Sequence, residues 1–212
     1  MRKPPGHHLD FFVLLEALQQ VGCAACRLAD QAGRRFLQTL FYEQVTDGIV
    51  RARLRRAGGF CREHTRLALK LGDALGSSII YGDVLGEASR SLGGKSPARS
   101  CLVCQAGAEA ARRGLKVLTA HLADADVLAA YQEGDGLCLD HLGQILGSKR
   151  SPDTAGTLLQ IERERLQRLA EDCAEFVVKS DYRRIGETLG PERDAWQRAA
   201  RKLGGGFPND GA

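Results

Sequence analysis

The chain has 212 residues, 43% of them hydrophobic and 26% charged, with a formal net charge of +4. That length buries a real core in one or two domains, and no run reaches the roughly 18 apolar residues that a membrane helix needs. The longest early apolar run, Phe11 to Leu15, is hemmed by Asp10 and Glu16 and makes a poor signal-peptide core. The expected compartment is the cytoplasm, where thiols stay reduced and a CxxC pair is metal-binding or catalytic rather than a disulfide.

Taken in order, the sequence predicts helices and almost no strands. Leu9 to Val21 carries an apolar stripe of Phe11, Leu14, Leu15 and Leu18 that stops at Gly22. A second helix opens at Cys23-Ala24-Ala25-Cys26 and runs to about Val45. Thr46-Asp47 caps a short basic helix through Arg56, ended by Gly58-Gly59. A helix opens at Cys61, and it or a successor continues through Ile79, Ile80 and Val84; Ser91 to Ser100 reads as a linker. The order then recurs: a helix from Cys101, Asp124 as a cap, Gly134-Asp135-Gly136, and a helix from Cys138. Ser151-Pro152 starts a long last helix with Leu159, Leu166 and Cys173 at heptad spacing, joined by Leu169 and Phe176, so Cys173 is expected in the core. A short helix surrounds Trp196.

The recurrence is written most clearly in the cysteines and histidines. Cys23 and Cys26 are answered by Cys61 and His64; Cys101 and Cys104 are answered by Cys138 and His141. Residues 27–60 and 105–137 separate the pairs, intervals that differ by a single residue. Aligning the copies puts Arg34-Arg35 on Arg112-Arg113, Leu40 on Leu118, and Gly59-Phe60-Cys61 on Gly136-Leu137-Cys138. One supersecondary unit is therefore used twice. The predicted fold is all-α: a duplicated helical unit in a pseudo-two-fold bundle, with the long C-terminal helix packing across both halves. Residues 1–92 hold the N-terminal helix and first copy, 101–150 the second copy, and 151–203 the long helix and the tryptophan helix. Residues 204–212 read as disordered.

Three thiols and one imidazole per copy are the ligand set of a closed tetrahedral zinc site. A CxxC whose second cysteine opens a helix gains from free amides and the positive helix end, and cysteine and histidine three apart share one helical face. The expected cofactor is Zn2+, two per chain, with an iron–sulfur cluster as the alternative. Buried unligated cysteines explain one pair well and four matched pairs poorly. Dithiol redox chemistry lacks its βαβ context, and covalent haem is disfavoured because Arg27 and Gln105 stand where CxxCH needs histidine. The simplest assembly has each copy build its own site; exchange of ligand pairs between copies is the alternative. Arg27 and Arg62 adjoin ligands of the first copy and Gln105 and Asp140 those of the second, which predicts a more electron-rich second site.

Residues 23–70 hold ten Arg and Lys against four Asp and Glu, while residues 101–147 hold three against six. Arg51, Arg53, Arg55 and Arg56 form the densest basic cluster. Without aromatic interleaving or a nucleic-acid motif, a solvated face or a contact with an unidentified protein partner outweighs nucleic-acid binding. His121 reads as a surface residue and His7-His8 as an adventitious metal ligand in a terminus. Asp73, Tyr81 and Asp83 read as helix-surface polarity or a polar network. No Ser-His-Asp set, phosphate loop or dinucleotide fingerprint appears, so no catalytic residue is assigned.

The order CxxC, FCxxH, Gly72-Asp73-Ala74-Leu75-Gly76, Tyr81-Gly82-Asp83, CxxC, LCxxH, then Lys179-Ser180-Asp181-Tyr182-Arg183 and Asp194-Ala195-Trp196 resembles an uncharacterised bacterial domain-of-unknown-function family. The resemblance runs from Leu9 to about Leu203. Members more often carry proline inside the pairs, where Ala24, Arg62, Leu102 and Leu139 stand here, a departure that leaves the ligands intact. It implies a cytosolic bacterial protein with two Cys3His sites and no assigned activity. Lys179 to Trp196 is the candidate surface for a role, or else a tail that docks Tyr182 and Trp196 onto the bundle.

Overall fold

A computed structural model describes residues 9–94, 100–148, 152–184 and 187–206. The protein is all-α, and every regular element among the described residues is helical. The helices are α1 (Leu9–Leu18), α2 (Ala24–Thr39), α3 (Gly48–Ala57), α4 (Arg62–Leu71), α5 (Ala74–Arg90), α6 (Leu102–His121), α7 (Ala125–Glu133), α8 (Leu139–Leu146), α9 (Pro152–Lys179) and α10 (Ala195–Gly204). A π-helical turn, Leu40–Gln44, prolongs α2, so the predicted reach to about Val45 is nearly met.

Two compact units divide the chain, one of Met1–Arg27 with Arg112–Ala212 and one of Leu28–Ala111. They do not follow the copies along the sequence: the first unit joins the N-terminal CxxC to the second CxxH, and the second joins the first CxxH to the second CxxC.

In the Leu28–Ala111 unit, Leu37, Leu40, Leu54, Phe60, Ile80 and Val103 form the buried core. The Asp47 carboxylate accepts from the amides of Ile49 and Val50 at 2.8 and 2.9 Å and starts α3, which packs on α5. Gly58, left-handed at φ 67°, ends it. The chain breaks between α4 and α5 at Gly72, where a Cβ would stand 2.6 Å from the Phe41 ring. Asp73 then recaps the helix through the Gly76 amide at 2.8 Å. Asp83 accepts a two-pronged bond from Arg51 (2.6 and 2.7 Å) and a third from Arg55 (2.9 Å), while Tyr81 packs edge-on against Phe60. Asp73, Tyr81 and Asp83 thus go to separate partners.

In the other unit, α1 packs on α7, and α10 packs on α8 and α9. Asp124 stands at the start of α7, but its carboxylate bonds His121 Nδ1 at 2.8 Å instead of a helix amide. His121 is half-buried, edge-on to Phe11 at 5.2 Å, and not the plain surface residue expected. The buried face of α9 also differs from the predicted heptad. Leu158, Ile161, Glu162 and Leu169 point inward, Leu159 is 41% exposed and Cys173 is only half-buried. Leu169 lies on the expected stripe, while Leu158 takes the inward place expected of Leu159, beside Glu162, which bonds Tyr131, Arg165 and Lys202. Helix α9 belongs wholly to this unit.

At its far end Lys179 reaches Glu192 at 2.9 Å, and the same carboxylate takes the Gly190 amide at 2.8 Å. Tyr182 and Trp196 stay 74% and 58% exposed, so they do not dock as a structural tail would. His7, His8, Ser151 and residues 207–212 lie outside the described residues, as do residues 95–99 of the expected linker; Ser91 to Gly94 form a turn after α5.

Two predictions follow from α9 and its end. Leu158→Ala should cost about 2–5 kcal/mol in urea denaturation, the usual cost of a buried leucine cavity, whereas Leu159→Ala should cost less than about 1 kcal/mol. The Gly190 amide, and after it Lys179, hold the Glu192 carboxyl down to about 2. Its stabilisation is therefore full above about pH 4.3, the ordinary carboxyl value, and is lost as pH falls through about 2. Thermal melts of Glu192→Gln and the natural chain should accordingly differ most near pH 5 and converge towards pH 2.

Candidate metal centres

Helix starts bring the ligands together. Cys138 is the residue before α8, and Cys61 the residue before α4; both have extended backbone, with His141 and His64 in the first helical turn. Cys23 and Cys101 likewise precede α2 and α6, with Cys26 and Cys104 one turn in. Each ligand pair thus sits where unpaired amides and the helix dipole favour thiolate.

All eight predicted residues fall into two groups, with the donor atoms of each within 4.8 Å of one another: Cys23, Cys26, Cys138 and His141, and Cys61, His64, Cys101 and Cys104. The simplest expectation, one site per copy, is overturned; the pairs are exchanged. The reason lies in which helix starts adjoin. Within the Leu28–Ala111 unit α6 lies tightly against α2, with Gly107 so close that a Cβ would be 3.0 Å from the Ala29 carbonyl. Gly33 similarly has Val103 Cγ1 and His64 Nε2 at 3.0 and 3.7 Å from where its Cβ would be. The second CxxC is thereby laid beside the first CxxH. The exchange also gives each group one adjoining arginine, Arg27 with Asp140 at one and Arg62 with Gln105 at the other, which narrows the predicted charge contrast between sites.

Both imidazoles turn Nδ1 to the sulfurs. His141 Nδ1 is 3.5, 3.5 and 3.2 Å from Cys23, Cys26 and Cys138, and Cys26 and Cys138 are 3.9 Å apart. His64 Nδ1 is 3.1, 3.6 and 3.2 Å from Cys61, Cys101 and Cys104, and Cys61 and Cys104 are 3.6 Å apart. Bonds of about 2.3 Å to sulfur and about 2.05 Å to nitrogen at tetrahedral angles separate ligands by roughly 3.6–3.8 Å. The donor sets fit one metal ion each.

Protons are shared unequally among these thiols. Hydrogen bonds from Cys138 and then Cys26 hold Cys23 down to about 3, while Cys138 and Cys23 drive Cys26 up. At Cys61 burial raises the thiol, but the His64 amide and the Cys104 and Cys101 thiols outweigh it, so the net shift is downward. Partial loss of hydration among its neighbours, although the side chain still reaches solvent, and then Cys61 push Cys104 up to about 12. Burial lowers His64, which favours the neutral, metal-binding imidazole. Three adjacent thiols cannot all ionise alone; a divalent cation relieves that repulsion.

The Cys23 group has a surrounding that the sequence did not reveal. Glu162, 1% exposed, accepts from Tyr131 (2.6 Å), Arg165 (2.5 Å) and the Leu137 amide (3.4 Å), and its other oxygen pairs with Lys202. Arg165 and Lys202 in turn bond the carbonyls of Gly134 and Asp135 at 3.0 and 3.1 Å. This network fixes the 134–137 turn that delivers Cys138. Tyr131, pushed well up by burial and then by Glu162, stays protonated and donates. Glu162 carries no motif; its place among Leu158, Ile161 and Leu169 was the available signal.

The glycine tail is the second surprise. Gly204 ends α10, and Gly205 and Gly206 continue over the sulfurs, so this part of the stretch is ordered. The Gly206 amide donates to Cys26 Sγ at 3.2 Å, and its carbonyl accepts from the Cys23 amide at 3.1 Å. At Gly205, φ 77°, a Cβ would lie 3.3 Å from Cys26 Sγ and 3.6 Å from Cys138 Sγ. A cavity of about 390 Å³ borders the same group and is lined by Cys23, Cys138, Arg165, Arg198 and Lys202 among others.

Fold and site together define an all-α protein with two Cys3His groups that can each hold a metal ion. The chain belongs to the Family of unknown function (DUF6062), which matches residues 94–210 and so takes in the second copy's ligands and the C-terminal helices. It is also similar to the uncharacterized 23.9 kDa protein in the xynA 3' region of Caldicellulosiruptor sp. (strain Rt8B.4). The two are 26% identical over 207 residues, which covers 91% of this chain and 99% of the relative. No solved structure matches.

Gly205→Val forces a branched side chain into left-handed backbone against two sulfurs. It should weaken Zn2+ retention by the Cys23 group about 10- to 100-fold, the usual effect of losing a ligand's supporting contacts. Competition with a chromophoric chelator should then show one ion per chain released early and the other unchanged.

Proposed function

We propose that each group holds one zinc ion in a closed structural site, and that the chain is a zinc-stapled helical scaffold which binds a protein partner in the cytoplasm. The observation that carries this reading is the spacing: four protein donors, all within 4.8 Å, match in number and separation the ligand set of a closed tetrahedral zinc site. The iron–sulfur alternative places several ions between its ligands and needs them further apart than one ion does. When bound, zinc supplies charge neutralisation and folding free energy, not redox chemistry. Cys23, Cys26, Cys138 and His141 would hold one ion, and Cys61, His64, Cys101 and Cys104 the other.

The partner reading rests on surface chemistry. Tyr182 and Trp196 expose apolar surface in the Lys179 to Trp196 stretch singled out by the sequence, and Val177 does so on α9 just before it. Two of the four arginines of the basic cluster, Arg51 and Arg55, are already bonded to Asp83, which leaves fewer charges for a phosphate backbone. Seven free thiols and no described helix able to cross a membrane accord with a reducing, aqueous compartment.

Elemental analysis of protein purified without oxygen should find two zinc ions per chain in a colourless solution. Cys138→Ser should retain one, and a strong chelator should lower the melting temperature of the natural chain. Iron with acid-labile sulfide, or folded and reduced protein free of metal, would overturn the reading.

A further inference from the structure

Two sites with the same ligands differ sharply in cover. In the Cys23 group, Cys23 and Cys138 are 4% and 2% exposed, and the Gly205–Gly206 tail lies over Cys26 and Cys138 with an amide bonded to Cys26 Sγ. The cavity that borders that group is lined by Arg165, Arg198 and Lys202 among others. In the Cys61 group, Cys104 is exposed, Cys61 and His64 are half-buried, and only Cys101 is fully buried. The sulfurs of Cys61 and Cys104 stand 3.6 Å apart.

We infer that the Cys61–His64–Cys101–Cys104 group is an oxidation site for small hydroperoxides, with Cys104 the sulfur attacked first and Cys61 its disulfide partner. The inference rests on the metal reading, which keeps the sulfurs as thiolates. The Cys104 thiolate attacks the terminal peroxide oxygen; the O–O bond breaks, the sulfur becomes a sulfenic acid, and hydroxide leaves from hydrogen peroxide or alkoxide from an alkyl hydroperoxide. The Cys61 thiolate then attacks that sulfur, the S–S bond forms and hydroxide leaves the sulfur. Two thiolates lose two electrons and one peroxide gains them. Cys101 and His64 remain, two donors where closed zinc sites use four, so oxidation empties this group. The Cys23 group keeps its ion, because Cys23 and Cys138 are buried, the Gly205–Gly206 tail packs on the half-buried Cys26, and its amide withdraws electron density from Cys26 Sγ.

Hydrogen peroxide is the probe, added stepwise to protein whose metal content has been measured. Metal release is followed with a chromophoric chelator, and disulfides are mapped by mass spectrometry after alkylation. One metal equivalent should leave at least ten times faster than the other, together with a Cys61–Cys104 disulfide, while Cys23, Cys26 and Cys138 still alkylate after denaturation. A thiol reductant plus added zinc should restore the starting state. Equal release of both ions, earlier loss from the Cys23 group, or a first disulfide between other cysteines would overturn this inference and leave the two-zinc reading standing. Protein with no metal at the outset would overturn both.

Discussion

Three thiols and an imidazole crowded within 4.8 Å repel one another as thiolates and share protons as thiols, so each group is poised between the two until a cation settles it. The remaining architecture holds that crowding in place. Each sulfur pair needs a helix start, each helix start needs a turn, and each turn must be anchored against the recoil. Pairs drawn from distant parts of the chain make the anchoring long-range: Cys23 meets His141, and Cys61 meets Cys104.

Anchoring is solved differently at the two groups. Around Cys138 a buried carboxylate does it: Glu162 gathers Tyr131, Arg165 and Lys202, and the two cations clamp the carbonyls of the turn. A buried ion cluster of this kind gives little net stability, yet loss of one member leaves the others uncompensated, at a cost of about 3–5 kcal/mol. Its value is positional. Around Cys61 and Cys104 close helix packing at Gly33 and Gly107 takes that role, and it leaves Cys104 open to solvent.

The sequence was most legible where chemistry is local. The eight cysteines and histidines that gather into two groups, the Asp47 cap and the glycine stop of α3 could be read from residue type and spacing alone, whereas the Gly72 break and the Asp73 cap between α4 and α5 were not. Pairing of the ligands could not, because within-copy and exchanged assemblies use identical motifs; the choice is made by tertiary packing of α2 against α6. On α9 Leu159 was expected inward where Leu158 lies, because a heptad count sees leucines and misses a glutamate that is inside for its hydrogen bonds. Gly204 to Gly206 looked like a loose end by composition, yet the absence of side chains is what lets backbone approach sulfur.

Exchange of pairs also fixes a topology. In chain order the four ligand pairs close first with fourth and second with third, a nested arrangement rather than two in tandem. Closing the inner loop, from Cys61 to Cys104, shortens the effective chain between Cys26 and Cys138, so the entropic cost of the outer closure falls. A growing chain can complete the inner site once residue 104 has been made. Its first two cysteines must wait for residue 141, and their glycine cover arrives later still. The protein is therefore built from the middle outwards, and a cut between the copies would leave neither fragment with a whole site.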